Sequence, residues 1–301
     1  MKYTKGILLV LTTSIISGFS VFLNKWGASG IEPYFFTFAK NILVAILLTA
    51  MLFLIYRLKE FQSLTRRDWW NLVLIGFIGG SVPFLLFFKG LTLTSAAQAS
   101  FFHKTMFIWL VPISWLFLKK KINKYELVAA FIMLLGSIFY FQYKPESLNR
   151  GDLLILIAAI MWAFEIALAK KVLTRLSGFM VAWGRMFFGA ILILLFLLVK
   201  NNGFHLTLGY SIWQYLWIVI SAIILFGYVT TFYNGLKYIP AFTAAAIMTL
   251  GAPLTSLLSL IFINEKAIPL KITGILLLIF GLYLVVFQNK LWPKKVVSSK
   301  N

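Results

Sequence analysis

Between residues 5 and 288 the chain is an almost unbroken series of apolar stretches, each close to the roughly 20 residues that a helix needs to cross a hydrocarbon core. There are ten: 5–26, 33–56, 69–89, 94–117, 123–142, 151–171, 178–200, 212–236, 241–263 and 268–288, with short joints between them. The stretches are uniformly apolar rather than alternating, and backbone groups in lipid must pair internally, so helices are predicted and a β-barrel is disfavoured. The expected fold class is an all-α integral membrane protein, a single membrane domain over 1–301 that ends in a basic tail, 289–301. Composition agrees, since 61% of residues are hydrophobic and 12% charged, with a mean hydropathy of +0.93, far from the average soluble domain.

The net charge of +20 arises from 28 Lys and Arg against 8 Asp and Glu. In a soluble protein this would suggest nucleic acid, but no basic soluble domain exists here to carry such binding, and none is expected. If the N-terminus is cytoplasmic, eighteen of the basic residues fall in inside segments and seven in outside joints, which places both termini in the cytoplasm and the chain in the plasma membrane. Trp69, Trp70, Trp213, Trp217 and Trp292 lie near span ends, as interfacial aromatics do. The start, MKYTKGILLVLTTSIISGFSVF, has the charged head of a signal peptide. Its apolar run is too long and lacks a small-x-small site, so it reads as a retained first span. Cysteine is absent and the only histidines are His103 and His205, so disulfides, cysteine nucleophiles, metal centres and cofactors are not expected.

Sliding the chain by 145 positions without a gap places Gly6 on Gly151, Lys25 on Lys170 and Ala45-Ile46 on Ala190-Ile191. The same offset carries Phe87 onto Phe232, Gly90-Leu91 onto Gly235-Leu236, Ser114 onto Ser259 and Gly136 onto Gly281. The register implies two repeats of five spans, 5–142 and 151–288. Because five is odd, the second enters the membrane in the opposite sense, an inverted-topology repeat.

The five-plus-five spans, the matched basic residues Lys40 in FTFAKNILVAILL and Arg185 in VAWGRMFFGAILIL, and the late stretch GLKYIPAFTAAAIMTLGAPLTSLLSLIFINEKAI resemble the EamA-type branch of the drug/metabolite transporter superfamily. The resemblance covers essentially the whole chain, and its most family-like feature is Pro253 followed twelve residues later by Glu265. The first half departs from it, with Lys120 at the position of Glu265 and Ile108 at that of Pro253. What the resemblance implies is a carrier of small solutes such as amino acids, nucleotide-related metabolites or sugars.

Five ionisable residues lie well inside spans: Lys40, His103, Lys104, Glu165 and Arg185. Each costs roughly 2.5–3.5 kcal/mol at a helix centre on insertion scales, so such groups face a partner, a water-filled cavity or a pathway. Depths counted from the span ends give two layers. The outer holds Lys40, His103 and Lys104 without an acid; the inner holds Glu165 and Arg185, which could pair either as a structural bridge or as a gate. An unpaired basic cluster favours an anionic substrate or a proton-coupling lysine, with snorkelling of Lys40 toward headgroups as the plain alternative. His103 and Lys104 are about 100° apart around a helix, so one of them, Lys104, is expected in a central cavity.

Softer candidates are Asn24, Ser17 and Ser20 on the first span and Trp162 and Trp183 on the sixth and seventh, as cavity lining. Gly79, Gly80 and Pro83, with Gly251 and Pro253, are hinge candidates. The expected function is secondary transport of a small metabolite, concretely export of an amino acid or related organic anion, by alternating access at a central cavity. No Walker A loop is present, so energy would come from a gradient, for instance of protons. A lipid-carrier-linked sugar flippase is the closer rival and a membrane-embedded transferase the more distant one, because the carboxylates are dispersed. The expected partners are the substrate and the bilayer, in a monomer or homodimer.

Overall fold

The computed structural model describes residues 1–56, 59–119, 123–142, 148–200, 209–263 and 268–291. Glu265, the joint residues Arg57, Lys120, Lys121, Lys144 and Lys266, and the tail beyond Leu291 lie outside the described residues. Ten helices are long and apolar enough to span a membrane. They are α1 (Lys2–Gly27), α2 (Pro33–Tyr56), α3 (Arg66–Leu91), α4 in two pieces, α4a (Ala96–Lys104) and α4b (Met106–Leu118), and α5 (Lys124–Phe141). The second five are α6 (Arg150–Val172), α7 (Gly178–Lys200), α8 (Ile212–Leu236), α9 in two pieces, α9a (Ala241–Met248) and α9b (Gly251–Ile263), and α10 (Pro269–Leu291). No strand occurs among the described residues.

Helix ends follow side-chain caps more than hydropathy. α3 starts three residues before its apolar run because Thr65 and Asp68 form a capping box, and Asn149 with Asp152 does the same for α6. The distribution of polarity is that of a protein dissolved in lipid. Phe53, Leu54, Phe131, Leu195, Phe262 and Phe280 face outward, whereas Thr13, Thr37, Asn41, Glu165 and Arg185 are buried.

α5 packs along α10, α2 along α7, α1 along α8, and α3 along both α6 and α7; α4 lies against α6 and α9a, α9 against α1, and α8 against α2. Adding five to every helix number turns this set of pairings into itself. The close approaches behave alike: a Cβ on Gly6 would stand 3.0 Å from the Gly235 carbonyl oxygen, and one on Gly151 2.8 Å from that of Gly90. Gly6 and Gly151, and Gly90 and Gly235, are the residues related by 145 positions, and their lack of a side chain lets α1 meet α8 and α3 meet α6 backbone to backbone.

Three helices depart from regular winding. α3 contains a π-helical turn at Gly76–Ser81. α4 breaks after Lys104, where the Thr105 hydroxyl donates to the Phe102 carbonyl at 2.6 Å, and α9 breaks after Met248, where the Thr249 hydroxyl donates to that of Ala246 at 2.7 Å. The two breaks, at Thr105 and Thr249, fall within one residue of the 145-residue offset. In each the hydroxyl takes the carbonyl three residues back and tightens the final turn.

The end of the bundle that carries Lys2 is its near face. The opposite end, where Glu32 pairs with Lys200 at 3.2 Å, is its far face.

Candidate functional site

Two adjoining cavities run down the middle of the bundle. A vestibule of about 610 Å³ is walled at its far-face end by Ala28, Ile31 and Pro33. A deeper chamber of about 260 Å³ reaches Glu165, Arg185, Tyr228 and Met248. The residues that line both are Ser17, Ser20, Val21, Lys40, Phe87, Phe88, His103 and Lys104, so these form the neck between the two spaces.

The neck is basic. Lys40 Nζ lies 4.1 Å from the centre of the Phe36 ring, a cation–π contact, and neither Lys40 nor Lys104 has a hydrogen bond or ion pair among the described residues. Both His103 and Lys104 line both cavities, where one alone was expected. The reason is the break at Thr105: the pair sits in the last turn of α4a, and the cavity wraps around the end of that helix rather than along one stripe of it. The His103 ring rests on Trp162 at 4.9 Å and Phe87 at 5.2 Å between ring centres, and Phe84 joins Trp162 at 5.3 Å. One wall of the chamber is therefore aromatic.

The inner end is organised by the π turn of α3. Its Gly79 carbonyl accepts from Trp162 Nε1 at 3.1 Å and from an Arg185 guanidinium nitrogen at 3.1 Å, and the neighbouring Gly80 carbonyl accepts from Asn41 Nδ2 at 3.1 Å. A π turn shifts the helical hydrogen-bond register and presents backbone carbonyls to side chains, here from α6, α7 and α2. Glu165 and Arg185 stand against the same glycine: a Cβ at Gly79 would collide with Glu165 Cγ and lie 3.3 Å from Arg185 Nε. Glu165 and Arg185 are neighbours, as they could be from sequence, but among the described residues no contact between them is within ion-pair distance. Glu165 Oε1 accepts from the Tyr233 hydroxyl at 2.5 Å, Arg185 donates to the Gly79 backbone, and Arg185 Nε is buried without a hydrogen-bond partner among the described residues. Tyr233 reaches the carboxylate from α8, a third helix that the comparison of α6 and α7 alone does not include. Nor are the two charged layers separate, because Lys40 and Lys104 line the same chamber as Glu165 and Arg185.

Trp183 lies outside both cavities. It stacks on Phe187 with 4.8 Å between ring centres, meets Phe61 at 4.9 Å and donates to Thr49 Oγ1 at 2.9 Å, which makes it part of the packing between α2 and α7. Asn24 lines the vestibule but is already engaged: its amide nitrogen donates to the Ser20 carbonyl, and its oxygen accepts from Trp217 Nε1 at 3.0 Å and Ser221 Oγ at 3.1 Å. Gly80 is wedged against the Arg185 carbonyl and Gly189, and Pro83 follows the π turn in the first turn of the next α-helical segment. Gly251 and Pro253 open α9b just after its break.

The near-face end is closed by short polar ties. Lys170 Nζ donates to the carbonyls of Leu236 at 2.8 Å and Lys237 at 3.0 Å, while Lys237 Nζ donates to Leu176 at 3.2 Å. Glu60 accepts from the backbone and hydroxyl of Ser177, both at 2.7 Å, and Asp68 pairs with Arg175 at 2.9 Å. Beneath these ties Leu173, Ile239, Phe242 and Ala244 are fully buried.

Asn41, Tyr228 and Tyr233 escaped the sequence reading. Asn41 adjoins Lys40, and its buried amide could have been suspected from that neighbour; the two tyrosines carry no signal that separates them from other aromatic residues of a membrane helix. The chamber lining also pairs up across the 145-residue offset: Ser17 with Trp162, Ser20 with Glu165, Val21 with Ile166, Lys40 with Arg185, Asn41 with Met186, Phe87 with Phe232 and His103 with Met248. The two halves thus put different chemistry at equivalent places.

Ten helices apolar and long enough to cross a membrane, around a central cavity with embedded charges, and relatives named as transporters mark a multi-pass membrane transporter. The chain belongs to the EamA-like transporter family, whose model matches it twice, over residues 4–142 and 149–287. An uncharacterized transporter of Clostridium kluyveri is 24% identical to it over 300 residues, covering 95% of this chain and 94% of that protein. The uncharacterized transporter YetK of Bacillus subtilis is 23% identical over 288 residues, covering 91% and 84%. A solved crystal structure superposes with a TM-score of 0.79 at 15% identity over 95% of this chain and 98% of the other, a likeness of fold.

Proposed function

We propose that the protein is a secondary transporter of a small organic anion, an amino acid or related carboxylate, and that it works by alternating access at the central chamber. The observation that carries this reading is the neck: among the described residues, Lys40 and Lys104 stand without acid partners at the passage between a vestibule and a deeper chamber. Such charges are retained in a membrane interior only where a counter-ion or water meets them. Lys104 and Lys40 would bind the anion, His103 and Trp162 would wall it, and the group Glu165, Tyr233 and Arg185 would respond to it at the inner end. Asn24 would hold α1 to α8 at the vestibule, and Gly79, Gly80, Pro83, Gly251 and Pro253 would take up the helix movement.

The doubled family match, the self-mapping helix pairings and the paired lining residues support an inverted two-repeat architecture with the chamber on the axis between the halves. The distribution of basic residues supports cytoplasmic termini in the plasma membrane, so the near face would be the cytoplasmic one and the conformation outward-facing. A chamber of about 260 Å³ suits a small metabolite better than a lipid-linked sugar. Export is the direction proposed, and a gradient, for instance of protons, the energy source. Reconstitution into liposomes followed by counterflow of radiolabelled amino acids and organic anions tests the reading; folded protein that moves none of them refutes it.

A further inference from the structure

Lys40, Lys104 and Arg185 contribute three positive charges to the chamber lining, and Glu165 contributes one negative charge. Counted with the lysines, arginine and glutamate in their ordinary charged forms and His103 uncharged, the lining has an excess of two positive charges. Water at the vestibule end would screen part of it, whereas Arg185 and Glu165 at the inner end are only 8% and 1% exposed. In a low-dielectric cavity the occupant that best satisfies this field brings two negative charges, and a single one leaves a cation uncompensated.

The cations are also placed at two depths. Lys40 and Lys104 line the neck, shared by vestibule and chamber, whereas Arg185 lines the chamber alone. Arg185 is the less settled of the inner pair. It gives one donor to the Gly79 carbonyl and meets the Tyr233 hydroxyl, which also donates to the neighbouring Glu165, yet its Nε has no hydrogen-bond partner among the described residues. Between the two depths the wall is Phe84, Phe87 and Trp162, which offers nothing to an anion and a good surface to a hydrocarbon linker.

We propose that the preferred substrate is an organic dianion whose two acidic groups are separated by an apolar spacer, a dicarboxylate, with one group held by Lys40 and Lys104 and the other by Arg185. This rests on the transporter reading above and narrows it. The two halves would then read opposite ends of one molecule, since the lysines come from the first half and the arginine from the second.

The test uses the full-length protein in liposomes loaded with the straight-chain dicarboxylates succinate, glutarate or adipate. Counterflow of each labelled diacid is compared with that of its half-amide, which keeps the length and loses one charge, and with inorganic phosphate, which keeps the charge and loses the separation. The expected result is a preference of about tenfold or more for one diacid over its half-amide and over phosphate. Lys104→Gln and, separately, Lys40→Gln lower the excess charge by one and should shift preference toward the half-amide; the wild-type comparison stands even where a variant does not fold. Half-amides moving as well as diacids, or phosphate moving as well as either, overturns the dianion proposal while leaving anion transport intact. No movement of any of these anions by folded protein overturns the proposal together with the small-anion reading beneath it.

Discussion

The Tyr233 hydroxyl donates to Glu165 beside Arg185, and its removal has a calculable effect. Tyr233 and Glu165 are 0% and 1% exposed, with 2.5 Å between hydroxyl and carboxylate oxygen, so the bond is a buried one. A hydrogen bond to a charged group contributes about 1.5–3 kcal/mol, against about 0.5–1.5 kcal/mol for a neutral one. Tyr233→Phe should therefore cost about 2 kcal/mol, a factor of about 30 in the folding equilibrium. In a Glu165→Gln background, where the acceptor is a neutral amide, the same change should cost about 1 kcal/mol, which leaves a coupling of about 1 kcal/mol between the two positions. Equilibrium unfolding in mixed micelles of rising SDS fraction, followed by the fluorescence of the ten tryptophans, measures all four corners of the cycle. Equal costs in both backgrounds would show that the hydroxyl merely fills space, and the bond assigned to Tyr233 at the inner end would be refuted.

Gly80→Ala should destabilise the protein by about 1–3 kcal/mol in the same assay, because its Cβ meets the Arg185 backbone carbonyl, which cannot swing aside as a side chain would. Trp162→Phe should weaken substrate binding, measured by ligand-induced thermal shift, through loss of the Gly79 bond and part of the chamber wall; Trp183→Phe should lower stability and leave binding unchanged. Since the chain has no cysteine, a single introduced thiol can be followed alone. Ser20→Cys should react readily with a hydrophilic maleimide, whereas Ala167→Cys, 0% exposed, should react only once Lys170→Met has removed the near-face tie.

What could be read from the sequence was whatever depends on one helix at a time. Each of the ten helices overlaps its expected stretch, because about twenty apolar residues in lipid have few alternatives. The embedded charges were equally visible, since a lysine among leucines needs a reason. What escaped depends on rotation and on third parties. Trp162 and Trp183 looked alike as membrane tryptophans, yet one meets the chamber and the other Thr49. Glu165 was matched to the nearest basic residue on the next helix, and Tyr233 on α8 donates to the carboxylate. The break after Lys104 has no proline or glycine to announce it; a threonine closing its own turn suffices, and it turns two neighbouring residues into two lining residues.

The near-face ties also bear on how this end of the bundle could open. Lys170 holds the carbonyls that end α8, at Leu236 and Lys237. A shift of 145 positions toward the N-terminus leads to Lys25 and to the carbonyls that end α3, at Leu91 and Thr92. The lysine and the leucine of the clasp thus recur at the matching positions of the sequence. A Lys170→Met protein, which loses both bonds to the end of α8, is then expected to rest with its vestibule open for less time, so that one lysine would act as the latch of the near face.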